Sequence, residues 1–208
     1  MYIIGLTGGI GSGKSTVAEM LKEKGAVVLS ADQVGHEVYQ PGRPAWQAIV
    51  DAFGRQVVAA DGGIDRKRLG AIVFADPEAL RRLNAITHPR MKELMREKLA
   101  ELEARDVSVA ALEAALLFDA GWDDLTDEVC ATVAPPAVAA QRTAGRSGIS
   151  VAEALARIRS QMNNEERARR SDVIIETDCD LEETRAQIDR EWSRLQQRLG
   201  SPSGRSRV

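Results

Sequence analysis

With 208 residues, the chain has room for one α/β domain with a sizeable core and a smaller insertion. Apolar residues at 44% and charged residues at 28% exclude a disordered or fibrous chain, and no window approaches the ~20 apolar residues of a membrane-spanning helix. A formal net charge of −3 argues against a dedicated nucleic-acid binder, and two cysteines, Cys130 and Cys179, without metal-like spacing argue against a disulfide framework.

Tyr2 to Leu6 is a short apolar run ending in glycines, the pattern of a buried parallel strand. After "GLTGGIGSGKST" a helix is predicted, with Val17, Met20 and Leu21 on one face and a stop at Gly25. "AVVLSAD" reads as a second buried strand. Strand, glycine loop, helix and strand in that order make a βαβ unit and imply a parallel sheet. From Gln33 to Arg105 the pattern is helical, with turns at "QPGRP" and "ADGGID". Leu80, Leu83 and Ile86 form one stripe; Leu94, Met95, Leu99 and Leu102 form another. His88-Pro89 is expected to separate them, because proline suits a first helical turn and not an interior.

Further strands are predicted within "VSVAALEAALLF", "EVCATVA" and "DVIIE". An arginine-rich helical pair joined near "GRSGIS" lies between the last two, with Ser150 and Glu153 as a capping box and the second helix running through Leu155, Ile158 and Met162. Asp180 and Glu183 mark the start of a final helix with Ile188, Trp192, Leu195 and Leu199 facing inward. The tail from 201 to 208 is expected to be disordered. "MYIIGLTGG" carries no charged leader, and the expected location is the cytoplasm.

Gly8 to Ser15 matches G-x-x-x-x-G-K-[ST] between a predicted strand and a predicted helix, the context that defines a phosphate-binding loop. The glycines let backbone N–H groups turn toward an anion, and the helix end adds partial positive charge. Gly8, Gly9, Ile10, Gly11, Ser12, Gly13, Lys14, Ser15 and Thr16 are therefore the expected contacts to the phosphates of ATP or GTP. Lys14 is suited to the β- and γ-phosphates, and the Ser15 hydroxyl to Mg²⁺. Asp32 follows the second strand, and neighbouring parallel strands bring their carboxyl ends to one sheet edge. It is a candidate for deprotonating an attacking hydroxyl, or equally a helix N-cap. Arg142, Arg146, Arg157 and Arg159 crowd the helical pair and fit either a lid over ATP or a solvated basic face. Glu113 is a weak candidate for holding Mg²⁺ through water.

"PGRPAWQAIVDAFG", "DGGIDRKRLGAIVFADPEALRRLNAITHPRM" and "QRTAGRSGISVAEALARIRSQ", together with the loop, resemble the dephospho-CoA kinase family, in that family's order and over roughly residues 2 to 195. The resemblance implies an α/β, three-layer P-loop kinase fold with a five-stranded parallel sheet, a helical substrate-binding insertion and a lid. The expected division of the single domain is a core of about 1–33, 106–136 and 165–200, a helical CoA-binding region of about 34–105 and a lid of about 137–164. It also implies transfer of the ATP γ-phosphate to the ribose 3′-hydroxyl of dephospho-CoA with Mg²⁺. Asp32 falls on the family's general base, Arg142 on its lid arginine, and His88 and Pro89 on its acceptor-side motif; Gln161 and Asp172 fall on recurring positions. Catalysis is thus expected of Asp32, Lys14 and Arg142, and acceptor binding of Asp32, His88 and Pro89. The chain departs from the family pattern at Ser30, His36, Glu113, Ala115 and Thr177, where aspartate, arginine, aspartate, proline and asparagine are usual.

Two rivals use the same loop. Another small-molecule P-loop kinase would differ in the helical stretch from Gly35 to Arg105. A nucleotide-switch protein finds weak support in "DQVG" and "DAFG", but no N-K-x-D guanine-reading motif is present.

Overall fold

The computed structural model describes residues 1–200; the tail expected to be disordered lies outside the described residues. The chain divides into two compact units, one formed by Met1–Val28 with the chain from Val107 onward, the other by Leu29–Asp106.

In the first unit, β1 (Tyr2–Gly8) leads through a loop into α1 (Lys14–Glu23), which buries Val17, Met20 and Leu21 as its spacing predicts. β2 (Val27–Ser30) follows and runs into the second unit. That unit holds α2 (Ala31–Glu37), α3 (Pro44–Phe53), α4 (Arg66–Ala75) and α5 (Pro77–Ala104). The chain then returns through β3 (Val109–Glu113), β4 (Glu128–Val133), α6 (Pro136–Ser147), α7 (Val151–Arg159), α8 (Asn164–Arg169), β5 (Val173–Glu176) and α9 (Leu181–Gly200).

The five strands form one parallel sheet in the order β2-β3-β1-β4-β5. β1 is therefore central, and register decides what surrounds its carboxyl end. Leu6 is opposite Glu113 on β3, and Gly8 is opposite Thr132 on β4. β2 lies at an edge with Val27 37% exposed, so the buried strand expected there is an edge strand instead. Leu6, Val17, Leu21, Ala111, Ile175, Ile188 and Leu195 join in one core cluster between the sheet, α1 and α9. Asp172 fixes the start of β5, its carboxylate accepting from the Val129 N–H at 2.8 Å, which is a structural use of that position.

The second unit has its own core of Ile49, Phe53, Val57, Leu69, Val73 and Ala79, against which Leu80, Leu83 and Ile86 pack. Burial of each large side chain contributes about 1.5–3 kcal/mol. Asp65 and Asp76 cap α4 and α5 by accepting from the N–H groups of Lys67, Arg68 and Glu78.

Two further sequence expectations are corrected. α5 does not break at His88-Pro89 but runs through it. Proline removes one helical donor, and nearby side chains bond the carbonyls of the preceding turn. Arg90 Nη1 donates to the Ile86 carbonyl at 2.7 Å and Thr87 Oγ1 to that of Leu83 at 3.0 Å. The helix opened by Ser150, whose hydroxyl accepts from the Glu153 N–H at 3.1 Å, ends at Arg159 and does not reach Met162. A separate short helix, α8, follows, capped by Asn163 through the Glu166 N–H at 2.8 Å.

Candidate active site

Gly8 closes β1, Gly9 to Gly13 form the loop, and Lys14, Ser15 and Thr16 open α1. Sterics explain the glycines. A Cβ on Gly8 would meet Thr132 Oγ1 at 2.1 Å and Ser12 Oγ at 2.4 Å, two hydroxyls that share a 2.6 Å hydrogen bond and pin the loop to β4. Gly11 has φ +75°, and its Cβ would stand 2.3 Å from the Ala139 carbonyl oxygen, so only glycine lets the loop pass this close to α6.

Lys14 Nζ donates to Glu113 Oε1 at 2.5 Å, in a largely buried ion pair that follows directly from the β1–β3 register. Ser15 and Thr16 are exposed beside it, and the Ser15 hydroxyl makes no hydrogen bond among the described residues. That free oxygen fits a Mg²⁺ ligand. No cluster of three or more His, Cys, Asp or Glu suited to a metal occurs among the described residues, so phosphate oxygens and water would complete the shell, the habit of Mg²⁺ in nucleotide sites.

Arg142 projects from α6 to the same place. Its Nη2 donates to the Thr177 carbonyl at 2.7 Å and its Nη1 to Thr177 Oγ1 at 3.3 Å. Thr177, 5% exposed at the end of β5, in turn donates to the Ser12 carbonyl at 3.0 Å. One hydroxyl thus links the arginine of α6 to the loop. Arg157 is taken up by Glu153 on its own helix, while Arg146 and Arg159 are exposed.

On the other flank of the loop, Gln161 Oε1 accepts from the Ile10 N–H at 2.9 Å. A cavity of about 490 Å³ opens here, bounded by Gly9, Ile10, Ser12, Arg159, Gln161 and Arg167 among others. Burial pulls the Arg167 guanidinium below its ordinary pKa, with the Asp119 carboxylate opposing that shift. The arginine-rich pattern of the helical pair does not single out Arg167. The Asn163-to-Glu166 cap marks where its helix opens, but no local signal says that Arg167 is the residue this helix buries.

Asp32, His88 and Pro89 belong to the second unit. Asp32 lies in the first turn of α2, exposed and without a partner among the described residues; Ser30, not Asp32, occupies the N-cap position. α2 is held against α5, the helix of His88 and Pro89, by the Gly35–Met91 approach and by Lys98 Nζ on Glu37 Oε2 at 2.7 Å. Cys130 offers no reactive thiolate, since burial pushes its thiol up to about 12.

A family model described as dephospho-CoA kinase matches residues 2–183. The chain belongs to the dephospho-CoA kinase family. The dephospho-CoA kinase of Moorella thermoacetica is 47% identical over 200 residues, covering 96% of this chain and 94% of that one. Among solved structures, a Thermus thermophilus protein superposes with a TM-score of 0.79 at 35% identity, over 93% of this chain and 97% of the other. The dephospho-CoA kinase from Campylobacter jejuni gives 0.70 at 26% identity, over 94% and 97%. Glu113 and Thr177, two positions where the sequence reading expects this chain to differ from the family pattern, are the residues that touch Lys14 and Arg142.

Proposed function

We propose that this chain transfers the γ-phosphoryl group of ATP to the ribose 3′-hydroxyl of dephospho-CoA, giving coenzyme A and ADP, the last step in making the coenzyme. The observation that carries the reading is a complete phosphate-binding loop with Lys14 and an arginine of α6 held beside it, in a chain whose family match runs almost from end to end.

The loop N–H groups and Lys14 hold the triphosphate, and Ser15 supplies a ligand for Mg²⁺, which when bound neutralises charge shared by the β- and γ-phosphates. Lys14 exchanges Glu113 for phosphate as ATP arrives. Arg142, on the lid of about 137–164, leaves Thr177 for the phosphate oxygens as the lid closes and sheds water that would otherwise hydrolyse ATP. Asp32 orients and deprotonates the acceptor hydroxyl. Its place directly after β2, its exposure and its lack of a partner among the described residues support that role. The helical region of about 34–105, with His88 and Pro89, receives the acceptor. The cytoplasm, where ATP is available, is the proposed location, and both cysteines are free thiols there.

ADP release measured with dephospho-CoA against a panel of nucleoside monophosphates tests the reading. Turnover confined to dephospho-CoA is expected; preference for a monophosphate would overturn it.

A further inference from the structure

Arg167 is 2% exposed, yet a guanidinium carries five N–H donors that need partners. Its side chain makes one long hydrogen bond, from Nη1 to Asn164 Oδ1 at 3.5 Å, and no carboxylate pairs with it among the described residues. Asp119 acts on it only through space. A Cβ placed on Gly9 would stand 3.6 Å from Nη1 and 3.9 Å from Nη2, so the planar fork lies against the first limb of the loop. Gln161 holds the same limb through the Ile10 N–H, and both side chains line the cavity of about 490 Å³.

A buried cation so poorly paired is costly, and well-packed apolar residues would serve stability better. The cost is recovered when an anion enters. Lys14 reaches the β- and γ-phosphates from the α1 end of the loop, and Arg167 and Gln161 stand at its opposite limb, at Gly9 and Ile10, the side from which the outermost phosphate is still open to a donor.

We propose that Arg167 is a catalytic residue whose guanidinium donates to oxygens of the transferring phosphoryl group, while Gln161 is a positioning residue that fixes the Ile10 limb. As the bond from the acceptor oxygen to the γ-phosphorus forms, the bond from that phosphorus to the bridging oxygen breaks and its electron pair leaves with ADP. The acceptor's proton goes to the base, and Arg167 neither gives nor takes one. It neutralises charge on the equatorial oxygens through the step. The inference rests on the phosphotransfer reading for the donor, ATP, and not for the acceptor.

The test compares Arg167→Met and Arg167→Lys with the unaltered chain in binding of ADP, binding of a non-hydrolysable ATP analogue, turnover of dephospho-CoA, and melting temperature. For Arg167→Met, ADP affinity is expected within about twofold, the analogue about tenfold or more weaker, and kcat down by about 10²–10³. Its melting temperature is expected to be unchanged or higher, because an ill-paired buried charge is gone. Arg167→Lys keeps the charge without the fork, so part of kcat returns. Equal losses for ADP and analogue, an unchanged kcat, or a lowered melting temperature with kcat intact would each overturn the proposal. Should the methionine variant fail to fold, unaltered kcat in the lysine variant would overturn it alone. A different acceptor preference would show in turnover and leave the split between ADP and analogue in place, so the two failures are distinguishable.

Discussion

Lys14 and Glu113, 99 residues apart in the chain, are joined by a 2.5 Å ion pair at the base of the phosphate-binding loop. On the proposed reading, ATP takes Lys14 from that carboxylate before the lysine reaches phosphate. Glu113→Gln removes the competitor's charge, so metal-free ATP is expected to bind several-fold more tightly. Turnover is expected to fall, because this carboxylate is also the candidate for holding Mg²⁺ through water. Calorimetry with and without Mg²⁺ separates the two effects; weaker metal-free binding would contradict the competition.

Asp32 stands exposed in the first turn of α2, without a partner among the described residues. Asp32→Asn keeps its shape and removes its basicity. kcat is expected to drop by about 10²–10⁴, the range of a general base, while ATP affinity holds. Near-normal turnover in a steady-state assay would end the assignment.

The Thr177 hydroxyl accepts from Arg142 and shares its proton between the Ser12 and Val133 carbonyls. Thr177→Val keeps the volume and loses these bonds, with an expected cost of about 1–3 kcal/mol and weaker ATP binding. Thr177→Ser keeps the hydroxyl and is expected to melt close to the unaltered chain. Valine and serine variants of equal stability would show that the hydroxyl link does nothing.

Pro89 sits inside α5, where a proline costs helix stability. Pro89→Ala is expected to stabilise the chain by about 1–3 kcal/mol, read from the denaturation midpoint. If Pro89 shapes the acceptor side, KM for dephospho-CoA rises and KM for ATP does not. A destabilised variant with both KM values intact would argue against both halves of this reading.

These cases show where sequence is legible and where it is not. The loop is legible because Lys14 and Ser15 are required by phosphate chemistry and not by a turn. α1 and α9 are legible because each has one buried face at helical spacing, as at Val17, Met20 and Leu21 or Ile188 and Leu195. The continuity of α5 is not, since proline's local preference is overridden by Leu80, Leu83 and Ile86 packing before it and Leu94, Met95 and Leu99 burying after it. Contacts made by strand register are also hidden. The sequence marks Glu113 as a Mg²⁺ candidate but not as the partner of Lys14, and nothing near Thr132 announces that it faces the loop; the order β3-β1-β4 makes both contacts. Arg167 is concealed for a related reason. Its burial depends on how α8 packs beside Gly9, which local propensity does not encode.

The most direct test of the account is the identity of the product. The chain is incubated with ATP, Mg²⁺ and dephospho-CoA, and the phosphorylated product is assigned by ³¹P nuclear magnetic resonance and mass spectrometry. The account expects one ADP for each molecule of coenzyme A, with the new phosphate on the ribose 3′ oxygen. Phosphate on another oxygen, or ADP formed without any phosphorylated acceptor, would contradict it.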